Sequence, residues 1–362
     1  MTVAATRIAI VSASVAAGHD GFARELACRL RAAGHQVECH DFVHLIPGGW
    51  GRRLRAAYRR QLEVVPRSWG WLLGWLQHSR VLSNAIGRLS ASSRSRLLTA
   101  LDPQATVVIS TYPLATQTLA RMKRQGLLQA RLLAYLTDPS VHRLAIASGV
   151  DLYLAVHEIT AQQAHDLGAV GVAITTPAVP TKFRPAGSPA EQQLAKRAFS
   201  LPDNGSLALV LSGSWGVGDV FETTRDVVAA GVVPVVVCGQ NEPLRARISR
   251  EIPEAVALGW VDDMPLLMRA CDVVVQNAGG LGLLEARASG LPVLSYRCLP
   301  GHGETNAEAW ARAGIARWVT SPDDLREALA SVRRPHRQLC GADPVQVIEA
   351  FAAVQELAEA AA

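Results

Sequence analysis

Residues Gln276–Leu294, QNAGGLGLLEARASGLPVL, follow a short apolar run and lead into another, and how they are read decides the fold. The run before them, DVVVQ (272–276), is β-branched and apolar and predicts a buried strand. Gly279 and Gly280 break it, a helix carrying Glu285 follows, and PVLSY (292–296) begins the next strand. A packed core needs neither the two glycines nor a glutamate in the first turns of that helix. A phosphorylated ligand held at a helix N-terminus uses all of them.

The same alternation extends outward in both directions. RIAIVS (7–12) predicts a strand, followed by a helix with Phe22, Leu26 and Leu30 on one face. VECHDF (37–42), TVVIST (106–111), RLLAYLT (131–137), DLYLAV (151–156) and VAITT (172–176) are the further strands of this half, with helices through 118–125 and from Thr160. The stretch TPAVPTKFRPAGSPA then places four prolines in fifteen residues and can continue neither element. Beyond it LALVLSG (207–213), VVPVVVCG (232–239), VALGW (256–260), DVVVQ and PVLSY resume the pattern. The chain therefore reads as α/β, with two doubly wound parallel-sheet domains: residues 1–178, a proline-rich linker over 179–190, and residues 191–342. A helix over 343–362 is placed to pack back on the first domain. Ligands sit at the carboxyl ends of strands in such sheets, so chemistry is sought in the loops there.

Five loops offer it. SVAAGHDG, after the first strand, puts Gly18 and His19 at a helix start; a neutral imidazole there can take a proton from a hydroxyl, or simply cap the helix. LSGSWGVGD (211–219) combines Gly213, Ser214, Gly216 and Gly218 in a donor-rich turn, an anion site or merely a tight turn. No Lys follows its last glycine, as a phosphate-binding Walker loop requires, and the next strand ends CGQN without the acidic residue of a dinucleotide fold. Gly279 and Gly280 face a second anion or the far end of the same one, with Glu285 accepting from vicinal hydroxyls or only capping its turn. Two glycine loops at successive switch points favour a diphosphate carrying a ribose. PGHGETNAE (300–308) offers His302, Glu304 and Asn306, a donor and acceptor mixture that suits a sugar or an ordinary polar surface. LTDPSVHRL (136–144) supplies Asp138 and His142, to assist a base or cap a turn.

The 49% of hydrophobic residues against 19% charged excludes a disordered chain. No apolar run is long enough to span a bilayer, and the N-terminal residues lack a signal-peptide pattern. The six cysteines are scattered without metal-ligand spacing and read as small buried hydrophobes of a reducing, cytoplasmic protein. The net charge of +5 is modest, but residues 48–77 interleave Arg52, Arg53, Arg55, Arg59 and Arg60 with Trp50, Tyr58, Trp69, Trp71 and Trp75. Basic residues opposed to aromatic and aliphatic ones fit an anionic membrane surface, and no nucleic-acid module accompanies them.

With these residues in hand, the chain resembles the GT-B glycosyltransferases of family 28. Within the family it is most similar to the monogalactosyldiacylglycerol synthases and processive diacylglycerol glucosyltransferases. More distantly it resembles the N-acetylglucosaminyltransferase that forms lipid II. The strings AGHDG, STYP (110–113), TDPSVH, DLYLAVHE, VCGQNEPL, LGWVDDMPLLMRACDVVVQNAGGLGLLEA and LPGHGETNAE carry the likeness, in family order along nearly the whole chain. The resemblance implies two Rossmann-like domains facing across a cleft. It also implies an inverting transfer of a hexose from a UDP-sugar to a lipid acceptor, diacylglycerol first, without metal or cofactor. Carried onto this sequence, Ser212–Gly218 meets the diphosphate, the backbone at Val261 the uracil, and Glu285 the ribose. His302–Asn306 meets the sugar, and His19 is the base, with Asp138 the competing candidate. The arginine and tryptophan stretch sits where relatives bind membrane and acceptor, which implies a peripheral enzyme on the inner face of the plasma membrane. Relatives have Lys where this chain has Asn277, a hydroxyl residue at Gly282 and Gln at His302, which leaves the donor hexose open. A lipid-linked or secondary-metabolite acceptor is the alternative, and a UDP-sugar epimerase the alternative from another class.

Overall fold

Strands such as LALVL and VVIS carry no polar face, so they can be satisfied only inside a sheet covered on both sides. The computed structural model describes residues 5–15, 17–64, 92–332 and 340–360, and there each such run is a strand of one of two wholly parallel sheets. The first joins β1 (Arg7–Ser12), β2 (Gln36–Asp41), β3 (Val107–Ser110), β4 (Arg131–Leu136), β5 (Leu152–Ala155) and β6 (Val172–Ile174) in the order 2-1-3-4-5-6. The second joins β7 (Leu207–Leu211), β8 (Val233–Val237), β9 (Val256–Leu258), β10 (Val273–Gln276), β11 (Val293–Tyr296) and β12 (Arg317–Val319) in the order 12-11-10-7-8-9.

Each order reverses direction once, and the reversal fixes where loops can gather. In the first sheet β1 lies between β2 and β3, with Val11 beside Ser110, so the loops after β1 and β3 part to opposite faces at their junction. In the second, β7 and β10 are neighbours, Leu211 beside Gln276, and the two glycine loops flank this single reversal instead of occupying successive ones.

The strands and their covering helices form two compact units, the first sheet with the C-terminal residues and the second sheet from Val179 onward. In the first unit the helix Ala17–Ala32 lays Phe22, Leu26 and Leu30 against the sheet, all buried. Burying each contributes about 1.5–3 kcal/mol. The helix after β3 begins at Pro113, earlier than its apolar periodicity predicts, because proline fits a first turn whose N–H has no partner. The helix Pro344–Ala360 docks on this unit: Glu349 accepts from His35 at 3.1 Å and Arg131 donates to the Phe351 carbonyl at 2.7 Å. In the second unit Val210, Val236, Val275 and Leu294 face a buried cluster closed by Leu325 and Leu329.

Cysteine burial corrects the sequence expectation. Cys238 and Cys271 are buried, but Cys28, Cys39 and Cys340 are exposed, Cys39 because β2 is an edge strand with polar residues on both faces. Among the described residues no helix is long and apolar enough to cross a membrane.

Candidate functional site

At the reversal of the first sheet, the helix start carrying His19 meets the loop after β3. The His19 Nδ1 lies 2.9 Å from the Thr111 carbonyl oxygen and 3.1 Å from Thr137 Oγ1. A carbonyl can only accept, so Nδ1 carries the proton and Nε2 keeps its lone pair. Thr137 in turn donates to Asp138 Oδ2 at 3.4 Å, so a hydroxyl links Asp138 to the imidazole. Ser12 fixes the start of the helix by donating to Asp20 at 2.6 Å, and the Tyr112 ring stands edge-on to His19 with centroids 5.5 Å apart. His19, Thr111, Tyr112, Thr137 and Asp138, with Ser140 and His142, line a small cavity of ≈ 30 Å³. A base with its tautomer set, beside hydroxyls and a carboxylate, is the arrangement a proton abstraction from an alcohol requires.

At the reversal of the second sheet the walls are mostly main chain. Ser212 is buried and donates to the Val237 carbonyl, which commits its hydroxyl to the sheet. Gly213, Gly216 and Gly218 all adopt positive φ, and two of them are also places of close approach. A Cβ on Gly216 would lie 2.4 Å from the Cys238 carbonyl, and one on Gly218 2.6 Å from Asn277 Nδ2. Ser214 closes the turn through its carbonyl, which accepts from the Gln240 N–H. Asn277 donates to the Val217 carbonyl at 2.8 Å and so ties the two glycine loops together.

The amides of the second loop are divided. Gln276 is buried, donates to Ser295 Oγ at 2.7 Å, and accepts from the N–H groups of Ala278 and Gly279. The Gly279 amide therefore serves the loop itself. The amides that open the helix Leu281–Ala288, beginning beside Gly280, are those a helix leaves without internal partners. Glu285 sits half-buried one turn further along that helix.

The helix His302–Arg312 grips the same loop from outside. Asn306, fully buried, donates to the Ala278 carbonyl at 3.0 Å, and Trp310 donates to the Gly279 carbonyl at 2.8 Å. Asn306 Nδ2 also lies 3.3 Å from His302 Nε2, which therefore accepts and leaves its proton on Nδ1. Glu304 is exposed and caps its helix by accepting from the Gly301 N–H at 3.1 Å. Val261 follows β9 next to Trp260, a residue 56% exposed.

Among the basic and aromatic residues, Trp50 is exposed on the helix Trp50–Val64, and the Arg53 guanidinium lies 5.3 Å over its ring. Arg52, Arg55 and Arg60 are exposed on the same helix, which also contains Tyr58 and Arg59. Trp69, Trp71 and Trp75 lie outside the described residues. Thr111, Thr137 and Gln276 join the site without a role assigned from sequence, and Asn277, noted only as a departure from relatives, acquires one. All four stand at or just beyond a strand end, next to residues that were singled out.

Comparison with known proteins follows the same division. Residues 23–177 match the family model of monogalactosyldiacylglycerol synthase, and residues 214–334 that of glycosyl transferases group 1. A processive diacylglycerol beta-glucosyltransferase of Bacillus pumilus is 24% identical over 239 residues, 64% of this chain and 62% of that protein. The chain thus spans less than two thirds of that relative's length. Among solved structures, Acinetobacter baumannii MurG aligns with a TM-score of 0.56 and 15% identity, covering 90% of each chain. Medicago truncatula UGT71G1, solved with UDP-glucose, aligns at 0.58 and 11%, covering 96% of this chain and 93% of that one. The fold is GT-B, as the motifs implied, and the expectation of a UDP-sugar-dependent hexosyltransferase agrees with these likenesses.

Proposed function

We propose that this chain, a relative of the monogalactosyldiacylglycerol synthases and processive diacylglycerol glucosyltransferases, moves a hexose from a UDP-sugar to a lipid acceptor, with diacylglycerol the first candidate. The observation that carries the proposal is the Nδ1 contact of His19 with the Thr111 carbonyl, which leaves Nε2 as a base in a cavity lined by hydroxyls.

In the reaction the acceptor hydroxyl gives its proton to His19 Nε2 while its oxygen bonds the anomeric carbon. The bond from that carbon to the diphosphate breaks, UDP leaves with the electron pair, and a single displacement inverts the configuration. The imidazolium that forms keeps its Nδ1 proton on the Thr111 carbonyl, and Asp138 stabilises it through Thr137. Negative charge on UDP is met by the Ser212–Gly218 turn and the first amides of the Leu281–Ala288 helix, the preorganised donors such a leaving group needs. No metal or cofactor is required, since these dipoles take the charge. Glu285 holds the ribose, Val261 the uracil, and His302 presents its Nδ1 proton to the sugar. The exposed arginines of the Trp50–Val64 helix hold the protein against anionic lipid at the inner face of the plasma membrane.

The test is UDP release from a panel of UDP-sugars, with and without diacylglycerol in phosphatidylglycerol vesicles. Lipid-dependent release from one sugar is expected. Release that ignores lipid, or none from any sugar, sinks the proposal.

A further inference from the structure

Thr111 has three polar groups at the first reversal, and its N–H is spent on the Val11 carbonyl at 3.1 Å. Its carbonyl holds His19 Nδ1 at 2.9 Å. Its hydroxyl is buried, on a residue only 2% exposed that lines the cavity, and has no hydrogen-bond partner among the described residues. The neighbouring hydroxyls behave differently. Thr116 donates to Ser110 at 2.9 Å, and Ser110 donates to the Tyr112 carbonyl at 3.1 Å. Only Cα and Cβ separate a threonine hydroxyl from its own carbonyl carbon, so this unpaired group is held close to the imidazole. Valine would fill the same space, and a buried hydroxyl without a partner is an unusual thing for a fold to keep.

We infer that Thr111 is an acceptor-binding residue. Its hydroxyl donates to an oxygen on the carbon adjacent to the one bearing the reacting hydroxyl. In a diacylglycerol that oxygen belongs to an ester; in a glycosylated lipid it is a second hydroxyl. His19 takes the reacting O–H and Thr111 holds the neighbouring oxygen, and two points fix an alcohol that one point would leave free to rotate. Thr111 keeps its proton throughout, since only the reacting hydroxyl is deprotonated. The inference rests on the proposed transfer for its chemistry, but binding at Thr111 can be read without turnover.

Thr111→Val and Thr111→Ser are compared with the parent on three acceptors in phosphatidylglycerol vesicles: dioleoylglycerol, its monoglucoside, and oleyl alcohol, which lacks the adjacent oxygen. Thr111→Val is expected to lower kcat/KM about tenfold, the worth of one neutral hydrogen bond held in a dry site. Thr111→Ser should restore most of it, and oleyl alcohol should be used equally by all three proteins. Loss confined to dioleoylglycerol identifies the ester, and loss confined to the glucoside identifies the sugar hydroxyl. Equal loss on oleyl alcohol, or no loss anywhere, overturns the inference. Saturation-transfer NMR with 1,2-dibutyrin and methyl β-D-glucopyranoside reads the same contact without any UDP-sugar. Signal from either probe that disappears in Thr111→Val and persists in Thr111→Ser supports the inference even if no acceptor is glycosylated. Signal from both that is unchanged in Thr111→Val, or absent from the parent, rejects it.

Discussion

The reversals of the two sheets occupy the same topological place and are furnished in opposite ways. At the first, side chains make the surface: an imidazole with its proton fixed, two threonine hydroxyls and a carboxylate around one cavity. At the second, the main chain does, with Gly216 and Gly218 admitted because any Cβ would collide, and Gln276, Asn277 and Asn306 spending their side chains on carbonyls and amides of the loops. Moving a proton needs a group whose two protonation states are both tolerated. Holding a diphosphate needs amides at fixed positions and room for the anion to approach them. One fold therefore meets two tasks by exchanging which part of the residue faces the ligand.

The division breaks most easily at His19. His19→Ala should lower kcat by about 10²–10⁴, the usual contribution of a positioned base, while UDP affinity measured by calorimetry stays within about twofold, because Thr111, Thr137 and Tyr112, which hold the imidazole, all belong to the first unit. A comparable fall in UDP affinity would show that the two sets of loops are not separate devices. Gly218→Ala probes the other side. At φ +94°, with Asn277 Nδ2 2.6 Å from the new Cβ, alanine is strained and crowds the link between the glycine loops. A loss of about 1–3 kcal/mol in unfolding free energy and weakened UDP binding are expected. Single-turnover chemistry at saturating UDP-sugar should be less affected. Asn306→Ala comes next. It strips the Ala278 carbonyl of a buried donor and removes one contact of His302, for a cost of about 1–3 kcal/mol. A shifted preference among UDP-sugars should accompany the lower melting temperature; a change in stability alone would make Asn306 purely architectural.

What was legible in the sequence divides along the same line. The buried strands announced themselves through runs like RIAIVS and DVVVQ, since a strand covered on both faces has no polar residue to hide it. β12 did not, because Arg317 and Trp318 are exposed at the sheet edge and leave only Val319 as an apolar signal. The glycines of the second reversal were visible as glycines. What they leave room for was not: Gln276 looks like the polar end of a strand, and only the folded loop shows its carbonyl taking the Ala278 and Gly279 amides. Thr111 lay in plain view within STYP, but whether a hydroxyl has a partner is a property of three dimensions.

The smallest expected effect asks whether the two units differ as a whole when the pH is raised. In the first unit burial raises Tyr153 and pushes Tyr135 up to about 12, and Cys39, exposed as a residue, has its thiol tucked in far enough to be raised as well. In the second, burial pushes Cys238 up to about 11 and Cys298 and Tyr296 up to about 12, and it raises Cys271 as well. Tyr296 is held further by donating to the Asp226 carboxylate at 2.7 Å. All of these groups are neutral when protonated, and the folded state keeps them so. Above the ordinary thiol value of 9.0 the unfolded chain gives up protons that the folded chain retains, so unfolding is favoured as pH rises. Tyrosines join only above their ordinary value of 10.0. Between pH 9 and 10, set by those two ordinary values, the thiols act first, and the second unit has three of them against one. Hydrogen exchange followed by peptide should then quicken in the strands β7–β11 before β1–β5 as pH is raised, after correction for the intrinsic rate. Cys238→Ala with Cys298→Ala should narrow the gap. Equal quickening in both units would mean that the buried thiols do not set the alkaline limit, and that the contrast between the two reversals stops at their loops.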